Sequence, residues 1–319
     1  MIKINPRIII LIGAVILDLL IGDPWERFHP IVLIGMLISW LERRLRSEAS
    51  SIERQKVAGA VLVLIVVAGS YFLTAGFIQL ASSFDYRLGY LVSLIILTHC
   101  LALKGLIRAG QEVKAELDAD NLNGARAAVN KIVGRDCSQV TQTDVIRATV
   151  ESLAENTSDG ILAPILFFII GGTPLAVAYK AVNTIDSMLG YKNEKYLHFG
   201  WAGAKFDDLW NFMPSRLTAL TFIIGAFILR LNYQAAFRIT LRDASKHPSP
   251  NAGYPEAAAA GALGLRFGGT NYYHNQESFR AYLGDKTKEF SPVDIDKISR
   301  LIYSSVVIFI IAGLIIIVS

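Results

Sequence analysis

The sequence predicts an all-α polytopic membrane protein with about five or six transmembrane helices. Its helical and loop polar segments are expected to form a site at the cytoplasmic side. Three observations carry this. The 319 residues are 53% hydrophobic and only 18% charged, whereas a soluble domain carries about 25% charged residues. The missing charge is concentrated in long uncharged runs, a pattern that points to lipid rather than to a large soluble core. Lys and Arg are also divided unevenly among the segments that join those runs.

The runs set the elements. Residues 57–80 and 301–319 contain no charged side chain, and about 20 apolar residues cross a bilayer. Residues 88–103 reach that length if Lys104 and Arg108 snorkel to the interface. Residues 161–179 and 217–229 are uncharged too, and the N-terminal run extends to Gly22 if Asp18 is tolerated. The expectation is one integral membrane domain with spans at 7–22, 57–80, 88–107, 161–182, 215–231 and 301–319. The polar segments are then 108–160, 183–214 and 232–300. The first run is read as a retained helix and not a cleaved leader, because Asp18 and Asp23-Pro24 stand where a small-residue cleavage site would be needed.

Residues 42–56 hold five Lys/Arg, residues 81–87 hold one and residues 230–300 hold ten. The positive-inside rule therefore puts 42–56, 104–160 and 230–300 in the cytoplasm, as expected of a multi-pass protein of the cytoplasmic (inner) membrane. The net charge of +4 is read as this topological signal, with no nucleic-acid partner. Cys100 and Cys137 cannot build a disulfide framework. Most of the polar chemistry lies beside the membrane and not at mid-membrane, which favours an enzyme over a transporter.

Within the polar segments, residues 108–133 read as amphipathic helix interrupted at Asn121 and Gly124. Thr141-x-x-Asp144 reads as a capping box that opens a helix to about Glu155. Gly171-Gly172-Thr173-Pro174 breaks an apolar run, giving either two half-helices lining a cavity or a kinked span.

Four constellations carry chemistry. In Arg147–Gly160, the acids Glu151, Glu155 and Asp159 fall at i, i+4 and i+8, one face of a helix that continues that far. Like charges so placed need a divalent cation, or Arg135 or Arg147, as compensation; a solvated face with Arg147 paired to Glu151 is the plain alternative. In Lys180–Tyr191, Lys180, Asn183 and Ser187 share a face with Asp186 beside them, at the membrane where polar groups are costly; a Lys180–Asp186 structural pair is the alternative. In Phe199–Arg216, adjacent Asp207 and Asp208 with Asn211 at i+4 make an oxygen set suited to Mg2+ and phosphate, or else an exposed turn capping a helix. In Arg242–Ala257, three prolines within eight residues fix a loop that holds Asp243, His247 and Asn251. The loop feeds a helix whose first turn contains Pro255 and Glu256, an anion seat or simply a well-made cap. Asp23 and His29 add polar groups at a membrane edge. No Walker loop, zinc spacing or Gly-x-Ser-x-Gly elbow is present.

Taken in order, these motifs resemble the CobD/CbiB family of cobinamide-phosphate synthases. The likeness runs from Asp18–Pro24 and His29-Pro30 through Gly134-Arg135-Asp136, Arg147–Gly160, Asn183–Tyr191, Phe199–Arg216 and Arg242–Glu256 to Gly268-Gly269. Cys137 stands where Thr is expected, and Lys205 where Arg is. The resemblance implies an ATP-dependent ligase that joins adenosylcobyric acid to aminopropanol, or to its O-phosphate, through an amide bond with Mg2+ as cofactor. Its partners would be the corrinoid, the amino alcohol, the lipid bilayer and other cobalamin-assembly enzymes. On that reading Glu151, Glu155, Asp159, Asp207 and Asp208 hold Mg2+, and Asn156, Asn183 and Asp186 position phosphate and amine. Arg216, Arg242 and His247 stabilise substrate charge, and Glu155 is the base. Asp23, His29, Arg147, Lys180, Asn211, Asp243, Asn251 and Glu256 complete the substrate site. A Mg2+-dependent membrane prenyltransferase and a membrane transporter are the rival readings, the first because Asn156-x-x-Asp159, Asn183-x-x-Asp186 and Asp207-Asp208-x-x-Asn211 resemble diphosphate–Mg2+ motifs.

Overall fold

A computed structural model describes residues 5–22, 30–47, 50–191, 193–273 and 276–318. Thirteen helices and one hairpin are found among them: α1 (Pro6–Ile21), α2 (Pro30–Leu45), α3 (Ile52–Phe84), α4 (Tyr86–Thr98), α5 (Leu103–Asp118), α6 (Leu122–Val129), α7 (Gln142–Thr157), α8 (Ala163–Leu189), α9 (Trp201–Trp210), α10 (Phe212–Ile228), α11 (Tyr233–Asp243), α12 (Gly253–Leu263) and α13 (Val293–Val318), with β1 (Phe267–Tyr273) and β2 (Gln276–Leu283).

Four stretches are long and apolar enough to cross a membrane: Ile52–Phe84, Tyr86–Asp118, Gln142–Leu189 and Val293–Val318. A fifth is added if α9 and α10, bent by 42°, form one span. The protein is thus a multi-pass, α-helical membrane protein. The expected first span forms α1, but its 16 residues reach only about 24 Å, short of a hydrocarbon core of about 30 Å.

The chain folds as two compact units. One comprises Met1–Ala102, Ala163–Asn211 and Gly313–Ser319, and the other Leu103–Leu162 and Phe212–Ala312. In the first, α3 packs on α4, α8 and α9, and α1 packs on α4. Small residues permit this: a Cβ on Gly59 would lie 1.9 Å from the Phe199 carbonyl oxygen, and one on Gly203 would lie 2.6 Å from the Ile185 side chain. Such close backbone approach is how helices associate where lipid removes the hydrophobic drive.

In the second unit, α12 is the core element and packs against α7, α10 and α11. All its residues except Tyr254 are buried. The alanine run 257–260 and Gly261 let α11 approach closely, since a Cβ on Gly261 would meet the Ala235 carbonyl oxygen at 2.6 Å.

Two local features set the site. Thr141 caps α7 as its spacing predicts: its hydroxyl accepts from the Asp144 N–H at 3.2 Å and donates to the Asp144 carboxylate at 2.7 Å. The helix does not continue regularly to Asp159, however. Pro164 has no N–H to offer the Gly160 carbonyl, and residues Ser158–Leu162 widen into a π turn. Asp159 therefore falls outside the regular α-helical register that relates Glu151 to Glu155. The Gly171-Gly172 break is real, with Gly172 at φ +74°. Thr173 just beyond it hydrogen-bonds Ser93 at 2.5 Å.

Candidate functional site

Each unit gathers its own set of acids. In the first, the last turns of α8 present Lys180, Asn183 and Asp186, while α9 presents Asp207 and Asp208. Asp207 and Asp208 lie within α9 and cap nothing, because the helix starts at Trp201 with Gly200 before it.

Asn211, at the end of α9, is buried and fixes Asp207. Its amide N–H donates to Asp207 Oδ2 at 2.9 Å, and its carbonyl accepts the Tyr179 hydroxyl at 2.7 Å. Tyr179 is itself fully buried and stacks on Phe167 at 5.0 Å, whose other neighbour is Trp210 at 4.7 Å. A carboxylate only accepts, so the Asn211 NH2 faces it and the amide oxygen is left for the Tyr179 hydroxyl. Asn183 also reaches Asp207, and the Asp186 and Asp208 carboxylates lie close enough to act on it electrostatically. The second oxygen, Asp207 Oδ1, is buried and accepts no hydrogen bond among the described residues. Lys180 donates to the Asn183 amide oxygen at 3.3 Å, and Lys205 reaches Asp208 at 3.4 Å.

In the second unit, Glu151 is buried and both its oxygens are engaged. Oε2 accepts from Arg135 at 2.7 Å, and Oε1 accepts the Gly268 N–H at 2.8 Å with Arg147 Nη1 at 3.8 Å. The hairpin supplies this N–H because its register shifts at Phe267/Gly269 and Gly268 takes φ +84°. No side chain fits there: a Cβ would lie 2.3 Å from the Ala281 carbonyl oxygen. Arg147 in turn donates to the Gly268 and Thr270 carbonyls and to Asp144. The sequence offered Arg135 or Arg147 as compensation for Glu151, and both provide it.

Beside Glu151 lies a further buried pair. His247 Nδ1 accepts the Ser249 N–H at 3.0 Å, and Arg280 Nη1 lies 3.5 Å from Nε2. Nε2 stands 3.5 Å from Glu256 Oε1. Burial, with Arg280 nearby, pushes the His247 imidazole down to about 4, so it is neutral near pH 7. Burial also raises the Glu256 carboxyl well above its ordinary value, reinforced by Glu151 and Glu155. Glu256 Oε1 accepts no hydrogen bond among the described residues.

Other candidates have structural partners. Asn156 donates into its own helix, to the Ser152 carbonyl at 2.9 Å. Arg216 is clamped between the rings of Phe212 and Tyr254, at 3.5 and 4.0 Å, with Asn251 at 3.5 Å. Asp243 accepts from Arg242 at 2.8 and 2.7 Å, from Lys246 at 2.6 Å and from the Gly284 N–H at 2.9 Å. Burial alone would raise its carboxyl, but these donors hold it well below the usual range. Asp23 and His29 lie outside the described residues.

Glu151, Glu155 and Asp159 thus belong to one unit and Asp207 and Asp208 to the other. Among the described residues no group of three or more His, Cys, Asp and Glu side chains is arranged to hold a metal ion. Sequence reasoning misses Tyr179, which sits at the end of an uncharged run and resembles lipid-facing apolar surface. It also misses Arg280, in a hairpin the sequence does not announce.

The CobD/Cbib protein family model matches residues 11–302. A Geobacter metallireducens cobalamin biosynthesis protein CobD is 45% identical over 93% of this chain and 92% of its own length. The Clostridium perfringens CobD protein is 44% identical over 92% of each. The Salmonella arizonae cobalamin biosynthesis protein CbiB is 40% identical, again over 92% of each. No solved structure matches. A match spanning both units and both acid sets leaves one conclusion: the chain belongs to the CobD/CbiB family.

Proposed function

We propose that this protein is an adenosylcobinamide-phosphate synthase of cobalamin biosynthesis, working in the cytoplasmic membrane. It joins a carboxylate of adenosylcobyric acid to the amine of aminopropanol, or of its O-phosphate, with ATP as cosubstrate. The observation that carries this reading is the family match over residues 11–302.

An amide cannot form from a carboxylate without activation. The corrinoid carboxylate attacks the γ-phosphorus of ATP, the β–γ P–O bond breaks and ADP leaves. The amine nitrogen then attacks the carbonyl carbon of the acyl phosphate. The C–O bond to phosphate breaks, and the nitrogen gives up a proton. Mg2+, when bound, neutralises and orients the transferring phosphoryl group.

The donor chemistry fits such an ion. Asp207 Oδ1 is a buried carboxyl oxygen without a hydrogen bond among the described residues, within electrostatic reach of Asp186 and Asp208, and hard oxygen donors are what Mg2+ takes. Asp207 and Asp208 would hold it. Glu151 has both oxygens occupied and instead organises Arg135, Arg147 and the Gly268 bulge. Asn211 and Tyr179 fix the Asp207 carboxylate, and Asn183 and Lys180 present polar hydrogens to phosphate or substrate. A cavity of about 270 Å3 lined by Arg147, Arg266, Lys286 and the Gly268-Gly269 backbone offers cations to a phosphate group. Glu155 is the base for the ammonium, a role that Glu155→Gln with full activity would eliminate.

The test is direct. Detergent-purified protein is incubated with ATP, Mg2+, adenosylcobyric acid and aminopropanol phosphate, and mass spectrometry looks for the amide. Product that requires ATP supports the reading. Folded protein that makes none from verified substrates overturns it.

A further inference from the structure

We infer that α11 is an interfacial helix whose Tyr233–Phe237–Leu241 stripe rests in the acyl-chain boundary of the bilayer. It does so within the segment 230–300 that the positive-inside rule assigns to the cytoplasm. The inference concerns the second unit alone and does not rest on the proposed activity.

α11 has three faces. Ala236, Ile239, Thr240 and Asp243 are buried, on the side that packs against α12. Gln234, Arg238 and Arg242 are exposed, and both arginines already have carboxylate partners. Arg238 pairs with Asp285 at 2.8 Å, and Arg242 pairs with Asp243 and Asp285 at 2.7 and 2.8 Å. Between these two faces, Tyr233, Phe237 and Leu241 recur at i, i+4 and i+8 and so line up along the helix. Phe237 is 55% exposed and Leu241 71%. Single exposed apolar side chains are ordinary, but three large ones in a helix-long stripe mark a contact surface.

The packing around α11 points to lipid as what covers this stripe. The Thr221 hydroxyl of α10 lies 2.5 Å from the Ser305 hydroxyl of α13. A Cβ on Gly225 would meet the Ser304 and Leu301 side chains at 3.0 and 3.2 Å. The uncharged run of α13 begins at residue 301, so this part of α10 stands at the hydrocarbon boundary. Leu220, Ile224 and Phe227 are exposed there and form one lipid-facing stripe. The chain then reverses at Arg230, with φ +55°, and the Leu231 N–H donates to the Ala226 carbonyl at 2.8 Å. α12 fixes the direction of the return. Its first turn stands beside the start of α10, with the Tyr254 ring 4.0 Å from the Arg216 guanidinium. Its last turn meets the start of α11, where the Asn232 N–H donates to the Ala262 carbonyl at 3.4 Å. At its other end, a Cβ on Gly253 would lie 2.1 Å from the carbonyl oxygen of Ala244, just past α11. α11 therefore runs back alongside α10 and does not project outward into the cytoplasm. The Phe227 and Tyr233 rings meet edge to face at 5.2 Å, joining the two stripes into one apolar surface. Arginines on one face and large apolar side chains on another are the pattern of a helix lying in a membrane interface. The stripe is too small for a second copy of the chain, since three side chains along about 16 Å fall well short of the roughly 800 Å2 per partner of a stable interface.

The full chain, with Cys100→Ala and Cys137→Ala, would be reconstituted in phosphatidylcholine vesicles with a nitroxide at Phe237→Cys, Leu241→Cys, Gln234→Cys or Arg238→Cys, one at a time. Power-saturation electron paramagnetic resonance would compare collisions with oxygen, which partitions into acyl chains, and with a water-soluble nickel chelate. Oxygen access should exceed nickel access at 237 and 241, and the order should invert at 234 and 238. Should removal of the two buried cysteines disturb folding, Phe237→Trp and Gln234→Trp in the otherwise unchanged chain make the same comparison. Acyl-brominated phosphatidylcholine should quench the fluorescence added by the first and spare that added by the second. Equal quenching of the two, or nickel access at 237 and 241 matching that at 234, overturns the proposal. So does exclusion of both reagents from 237 with dipolar broadening between labels, which would place a second copy of the chain on the stripe.

Discussion

In sequence, the acids of the first unit closely resemble those of its neighbour, yet the two sets are held in opposite ways. Asp207 is fixed by neutral groups, Asn211 with Tyr179 behind it and Asn183, and one of its oxygens is buried with no hydrogen bond among the described residues. Glu151 is enclosed by two guanidinium groups and a backbone N–H that use both its oxygens. A carboxyl held by neutral donors has no cationic partner of its own among the described residues and is open to a ligand's positive charge. One held by arginines commits that charge to the fold. On the proposed function, the difference assigns Asp207 to chemistry and Glu151 to architecture.

The largest effect is expected at Asp207. Asp207→Asn keeps the shape and the Asn211 contact but removes the charge, and amide formation should fall about a thousandfold with melting unchanged. A stable variant with near-native turnover would break the comparison. Next comes Glu151→Gln, which leaves Arg135 and Arg147 buried against a neutral amide. Losing one partner of a buried pair costs about 3–5 kcal/mol, so unfolding in detergent should shift by that much. A loss of activity without a loss of stability would move Glu151 to the chemical side.

A third effect is pH-dependent. His247 has its imidazole held down to about 4 by burial and Arg280, against about 6.5 in an unfolded chain. Between these values the unfolded state binds more protons, so stability rises with pH across this window and falls as pH drops through it. The effect is up to about 3 kcal/mol for a group this buried. His247→Gln should flatten that part of the stability profile while leaving the slope below pH 4. The smallest effect is at Tyr179. Tyr179→Phe removes the donor that orients Asn211, costing about 1 kcal/mol of stability and about tenfold in turnover. Rescue of turnover by Tyr179→His, whose ring can still donate, would distinguish orientation from packing.

How much of this the sequence discloses follows from how local each feature is. The Thr141 cap, the break at Asn121 between α5 and α6, the Gly171-Gly172 interruption and the helix beginning near Pro255 are decided within a few residues and are legible. The span lengths follow from charge-free runs, except that α1 is too short and the bend at Asn211 splits α9 from α10. The π turn at Ser158–Leu162 depends on Pro164 acting several residues upstream, and it moves Asp159 out of the expected register. The β1–β2 hairpin rests on two positive-φ glycines; the N–H and C=O of Gly268 serve Glu151 and Arg147 more than a hundred residues away. Tyr179 is ordinary apolar sequence until Asn211 meets it across 32 positions. The acids themselves are found readily, but which of them have arginine partners cannot be read from spacing alone.

The measurement that tests the comparison most directly is Mn2+ binding by electron paramagnetic resonance, with Mn2+ standing in for Mg2+. It would be made on the purified full chain as wild type, Asp207→Asn and Glu151→Gln, each with its melting curve. Asp207→Asn is expected to melt like wild type and lose the bound Mn2+ signal. Glu151→Gln is expected to melt lower and, while folded, to keep that signal. Undiminished Mn2+ binding by a folded Asp207→Asn, or its loss from a folded Glu151→Gln alone, would contradict the division of roles between the two sets of acids.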